Sequence, residues 1–127
     1  MHHPSMEFTL ATQKHVQGTG RIGILDTGWA RLIETFGIPH NMLPVPKESE
    51  WKLRSGNKVR CEWAFRSIDH AAVITIYDYK DRRPFKETTD WHVGGKGDRE
   101  TIKRFFERYG FKESFAWDKD ARPALLA

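Results

Sequence analysis

Trp91-His92-Val93-Gly94-Gly95-Lys96-Gly97-Asp98 joins two different periodicities. Thr88 to Val93 alternates as a strand does, and three glycines follow within four positions. Ile102, Phe105, Phe106 and Tyr109 then recur at the i, i+3, i+4, i+7 spacing of an amphipathic helix. Asp98 stands where a helix N-cap belongs and Gly110 where a C-terminal stop belongs. A strand handing over to a helix through glycines predicts a mixed α and β fold. It is also the pattern of an anion site: glycine lets the backbone approach a ligand, successive N–H groups form a nest, and the helix turns its positive end toward it.

The neighbouring segments extend this reading. Lys58 to Arg66 alternates, with Val59, Cys61, Trp63 and Phe65 on one face and Lys58, Arg60, Glu62 and Arg66 on the other. The turn Ser67-Ile68-Asp69-His70 leads into a second strand, Ala71 to Tyr79, so the two predict an antiparallel hairpin. Further upstream, Trp29, Leu32, Ile33 and Phe36 share one helical face, capped by Asp26 or Thr27 and stopped by Gly37 and Pro39. Arg21 to Leu25 precedes it as a short strand, and Phe111 to Trp117 supplies a possible last one. Residues 40–56, proline-flanked and carrying Trp51, read as a surface loop or lid. The sum is an α+β single-domain layer sandwich, β-α-β-β-β-α in order, with a mainly antiparallel sheet and two helices on one face. Residues 1–19 are expected to form a weakly structured arm, 20–117 the domain and 118–127 a tail.

A chain of 127 residues suits one domain. Its net charge of +4 and pI near 9.3 favour an anionic partner. Lys and Arg are dispersed among Asp and Glu, so a small nucleotide-type ligand is favoured over nucleic acid. Cys61, alone, makes no internal disulfide and reads as a buried thiol. Scattered His with one Cys give no zinc spacing, so neither metal nor cofactor is expected. No apolar run reaches membrane-spanning length and the start lacks a signal-peptide core; the expectation is a cytoplasmic protein with no membrane partner.

Three functional readings follow. In the first, a binding protein holds an anionic nucleotide on the N–H groups of Gly94, Gly95 and Gly97, aided by Lys96 and the helix dipole. Arg60 and Lys80 would neutralise a second phosphate, Trp91, Tyr77 or Tyr79 would stack on a base, and His92 would donate to phosphate. A tight turn without ligand explains the same glycines, and no Walker A string is present. In the second, Glu62, Asp78 and Lys80 form a PD-(D/E)xK-like nuclease site, the acids holding Mg²⁺; ion pairing across the hairpin is the simpler explanation. In the third, the aromatic sheet is a homodimeric interaction module.

The ordered blocks Phe36-Gly37-x-Pro39, Glu62-Trp63, Thr75-Ile76-Tyr77-Asp78-Tyr79-Lys80 and Thr89-Asp90-Trp91-His92-Val93-Gly94-Gly95 resemble those of a family of small tailed-phage proteins, across roughly Gly20 to Gly97. In that pattern an alanine stands where this chain has Ile74, and the N-terminal arm is shorter. The resemblance implies a phage origin and, with it, a host-defence inhibitor acting in the host cytoplasm. A sponge for cyclic-nucleotide or ADP-ribose-type immune signals, homo-oligomeric with pockets at subunit seams, is the form it suggests.

Overall fold

Alternation of buried and exposed side chains builds one antiparallel sheet, and a computed structural model describes residues 7–42, 59–81 and 83–126 of it. The elements are β1 (Phe8–Leu10), α1 (Gln13–Val16), β2 (Gly20–Asp26), α2 (Trp29–Phe36), β3 (Asn41–Met42), β4 (Cys61–Ser67), β5 (Ala72–Tyr77), β6 (Asp90–Gly97), α3 (Arg99–Arg108) and β7 (Phe115–Trp117), with a 3-10 turn at Phe85–Glu87. The strands lie in the order β1-β4-β5-β6-β2-β7, and β3 pairs with β4 as β1 does. The α+β single-domain architecture is as expected from the sequence, with short elements added at either end.

Period-two alternation gives the sheet two unlike faces. Trp63, Ile76 and Val93 are aligned across β4, β5 and β6, and with Phe65, Ile74, Leu25 and Trp91 they form the core face. Helix α2 lays Trp29 against Trp63 and Phe85, at ring separations of 5.7 and 4.7 Å. Phe36 stacks on Phe105 of α3 at 5.8 Å, so both longer helices cover this face. The cap of α2 falls on Gly28, with no side-chain hydrogen bond, and not on Asp26 or Thr27. Asp26 is still the last residue of β2 and Thr27 donates its N–H to the Thr89 carbonyl, so both remain tied to the sheet.

The ends of the chain are more ordered than their polarity suggests. Phe8 is buried beside Phe105, and β1 pairs with Phe65 to Ser67. Helix α1, capped by Thr12, rests near β5, and the Lys96 ammonium donates to the Gln17 carbonyl. Lys96 shares its face with Val73, so this segment covers the side of the sheet away from α2 and α3. The tail returns along the domain: Asp118 N–H donates to the Ile22 carbonyl and Gly97 N–H to the Ala124 carbonyl. Residues 8–16 and 118–124 thus belong to the packed unit, because a single apolar anchor and a few backbone bonds suffice to hold short segments on a sheet. Residues 1–6 of the expected arm and 43–56 of the expected loop, with Trp51, fall outside the described residues, while Asn41–Met42 at the start of that loop form β3 against β4. Among the described residues no helix is long and apolar enough to cross a membrane.

Candidate ligand-binding face

The glycine stretch lies inside the sheet. β6 continues through Gly97, with Gly94 and Gly95 facing Thr75 and Ile74 of β5 on one side and Arg21 and Gly20 of β2 on the other. Their backbone groups are engaged in ladders on both sides, so they form no nest. Their missing side chains serve packing instead. A Cβ on Gly94 would sit 2.5 Å from Thr75 Oγ1 and 3.4 Å from Tyr77 Cε1; one on Gly95 would meet Ile22 Cδ1 at 2.7 Å and Ile102 Cδ1 at 3.4 Å. Gly94 therefore gives room to Thr75 and the Tyr77 ring on one face, and Gly95 lets α3 approach on the other. Gly97 has φ +100° against the Ala71 carbonyl, a position only glycine fills without strain.

The chain's own groups occupy the rest of that corner. Ala124 takes the Gly97 N–H, Ala71 takes the Asp98 N–H, and the Asp98 carboxylate caps α3 through Thr101 at 3.0 Å. Gly94, Gly95, Lys96 and Gly97, expected to hold phosphate, are thus placed in structural roles. Trp91, expected to stack on a base, is fully buried against Trp63 at 5.5 Å. Strand parity turns it to the core face while its neighbour His92 faces the other way.

Arg60 and Asp78 are also sealed, with exposures of 4% and 0%. Arg60 Nε lies 2.5 Å from Asp78 Oδ2, while Asp78 Oδ1 accepts from the Arg60 and Cys61 N–H groups at 2.8 and 3.1 Å. The guanidinium packs 4.4 Å above the Phe85 ring and donates to the Arg83 carbonyl. This carboxylate closes the start of β4 against the end of β5. Glu62 pairs with Tyr77 on the opposite face, so the sheet separates the two acids of the nuclease reading. Among the described residues no cluster of three His, Cys, Asp or Glu is placed to hold a metal. Burial and the nearby Asp78 push the Cys61 thiol far up, which keeps it protonated and inert.

Polar and aromatic chemistry meets solvent on the other face. The register aligns Glu62, Tyr77, His92, Ile24 and Ala116 in one row across β4, β5, β6, β2 and β7. The His92 ring lies 5.6 Å from Tyr77 and 5.2 Å from Tyr79, which is exposed just beyond β5. Lys80, exposed, holds its ammonium 5.5 Å from the Tyr79 ring centre. Arg21 occupies the adjoining row and is fixed by Asp118, Nε to Oδ2 at 2.9 Å and Nη2 to Oδ1 at 3.1 Å, at 43% and 32% exposure. Burial first, then the Arg21 charge, lowers the His92 pKa, so this imidazole is neutral near pH 7. Burial raises the Tyr77 hydroxyl.

Of the residues singled out in the sequence, Glu62, Tyr77, Tyr79 and His92 share this face, with Lys80 beside Tyr79. Arg21, Ile24 and Asp118 were not among them. The irregularity between Arg21 and Gly23 in the β2 to β6 register puts Arg21 and Ile24 on one face despite their odd spacing, which simple alternation hides. Asp118 joins through a contact 97 residues away in sequence.

No family model, curated protein or solved structure matches this chain. The likeness to small phage proteins therefore rests on its four sequence blocks alone.

Proposed function

We propose that this protein is a non-catalytic binding protein for an anionic, nucleotide-type ligand, held on the exposed half of the open sheet face. The observation that carries this reading is the file of rings Tyr77, His92 and Tyr79 flanked by Arg21 and Lys80. Aromatic faces stack on bases with about 1–3 kcal/mol each, and cations beside them meet phosphate. The basic net charge supports the same choice. Capture without cleavage is favoured because Asp78 is committed to Arg60 and two backbone N–H groups. The phage resemblance makes cyclic dinucleotides and ADP-ribose isomers the first ligands to try, in the role of an immune-signal sponge.

The test is thermal denaturation against those compounds and mononucleotides, with and without Mg²⁺. A ligand of the native state raises Tm with concentration. The expected result is such a rise, lost in the Tyr79→Ala, His92→Ala double variant, with ligand recovered intact after heating. An unchanged rise in that variant would move the site elsewhere, and consumption of the ligand would replace capture by catalysis.

A further inference from the structure

We infer that the ligand on this face is a stretch of single-stranded nucleic acid, laid across β5 and β6 with bases on Tyr77, His92 and Tyr79. The inference rests on the reading above and narrows it. Its basis is the shape of the site. Tyr77 and His92 stand directly opposite each other on neighbouring strands, and Tyr79 extends the file past the end of β5. The row continues through Ile24 to Ala116, a small exposed side chain that raises no wall. A base resting here is covered on one side only.

A free nucleotide or cyclic dinucleotide gains its affinity from a concave site that encloses most of its surface. A strand needs no such enclosure. Successive bases stack on successive rings of an open sheet, and the backbone tracks the cations beside them. Glu62 stands at the β4 end of the row, whereas Arg21 lies beside Gly94 on the β2 side. Asp90 is engaged by Arg83 at 2.5 Å and Asp118 by Arg21, while exposed Asp26 lies across from Asp90 on β2. Lys80 beside Tyr79, and the Arg21 guanidinium on the side it does not give to Asp118, are the cations a phosphate on this row would meet. The other half of the face, at Ala64, Val73 and Thr75, is buried, which limits the platform to about as many bases as it has rings.

Fluorescence anisotropy with labelled oligo-dT and oligo-U of three, six and twelve nucleotides tests this on the full chain. Affinity is expected to exceed that of the mononucleotide by about tenfold or more and to level off once the three rings are occupied. Two phosphate contacts predict a logarithmic salt slope of about −1.4, and Lys80→Ala should roughly halve it. The Tyr79→Ala, His92→Ala variant should lose at least about tenfold. Lys103→Ala, an exposed charge on α3, should change nothing beyond a small electrostatic loss. A mononucleotide or cyclic dinucleotide that binds as tightly as the hexanucleotide and displaces it overturns the inference while leaving nucleotide binding on this face intact. Equal affinity for duplex of the same length overturns it as well. If neither oligonucleotides nor small nucleotides bind, both readings fall.

Discussion

Arg60–Asp78 and Arg21–Asp118 are the same chemical pair joined through the same atoms, Nε to Oδ2, yet they do different work. The first is dry. Its carboxylate holds two backbone N–H groups as well as the guanidinium, and its arginine is pinned by Phe85 and the Arg83 carbonyl. The second joins β2 to the start of the tail in water, beside the partly exposed rings. A buried ion pair that fixes backbone is part of the fold, and removing one partner strands a charge in a low-dielectric interior. An exposed pair contributes little to stability but keeps an arginine in place at a surface where an anion can reach it. Exposure, more than residue type, separates the pair that belongs to the scaffold from the pair beside the proposed site.

The sharpest way to break that comparison is to cut each pair at the acid. Asp78→Ala is expected to cost about 3–5 kcal/mol, since the Arg60 charge and two N–H donors lose their partner together. Asp118→Ala is expected to cost less than about 1 kcal/mol, because water replaces the carboxylate. Urea unfolding midpoints of the two variants measure both. Where Asp78→Ala does not fold, Asp78→Asn retains an acceptor for the N–H groups and should still fall well below Asp118→Ala. Equal losses at the two acids would mean that the buried pair is not integral to the fold.

A smaller effect distinguishes the crowded glycine of β6 from an uncrowded one on β2. Gly94→Ala forces a methyl group toward Thr75 Oγ1 and the Tyr77 ring, and overpacking of this kind costs about 1–3 kcal/mol. Thr75→Ala should recover part of that loss in the double variant, as expected of two residues that compete for one space. Gly20→Ala is the matched control on the neighbouring strand. Nothing lies within 4 Å of its Cβ position, so its change should stay within about 0.5 kcal/mol. If Gly94→Ala is as silent as Gly20→Ala, the backbone at Gly94 is open after all and the phosphate-nest reading of this stretch regains its footing.

The four sequence blocks are legible for the fold and only in part for the proposed site, and one physical reason covers both. The Trp63 indole N–H donates to the Gly37 carbonyl, which joins the first two blocks. Ile76 pairs with Val93, and Trp63 packs on Trp91, which joins the others. These residues serve packing, so strand periodicity and helix spacing recover them well. The glycines show where that reasoning ends. A sequence reports that backbone can come close to something there, but whether the something is a phosphate or a neighbouring isoleucine is fixed by strand order. The order β5-β6-β2 is set by pairings between residues far apart in the chain, and so is the meeting of Arg21 with Asp118. Local pattern carries neither.

The smallest effect concerns His92, the group through which the exposed pair acts on the rings. Burial and the Arg21 charge hold its pKa below the ordinary 6.5, while Asp118 pulls the other way. Above that value the imidazole is neutral in both the folded and unfolded chain and contributes no pH dependence. As pH falls through 6.5 the unfolded chain takes up the proton first, so stability declines until the folded-state pKa is passed. Arg21→Gln removes the opposing charge and should move the His92 midpoint upward, with a shallower acid-side decline in stability. Asp118→Asn leaves Arg21 unopposed and should move it downward and steepen the decline. NMR titration of the His92 ring protons reads both shifts directly. Opposite signs would show that the pair sets the charge state of the ring platform; no shift in either variant would show that desolvation alone governs His92.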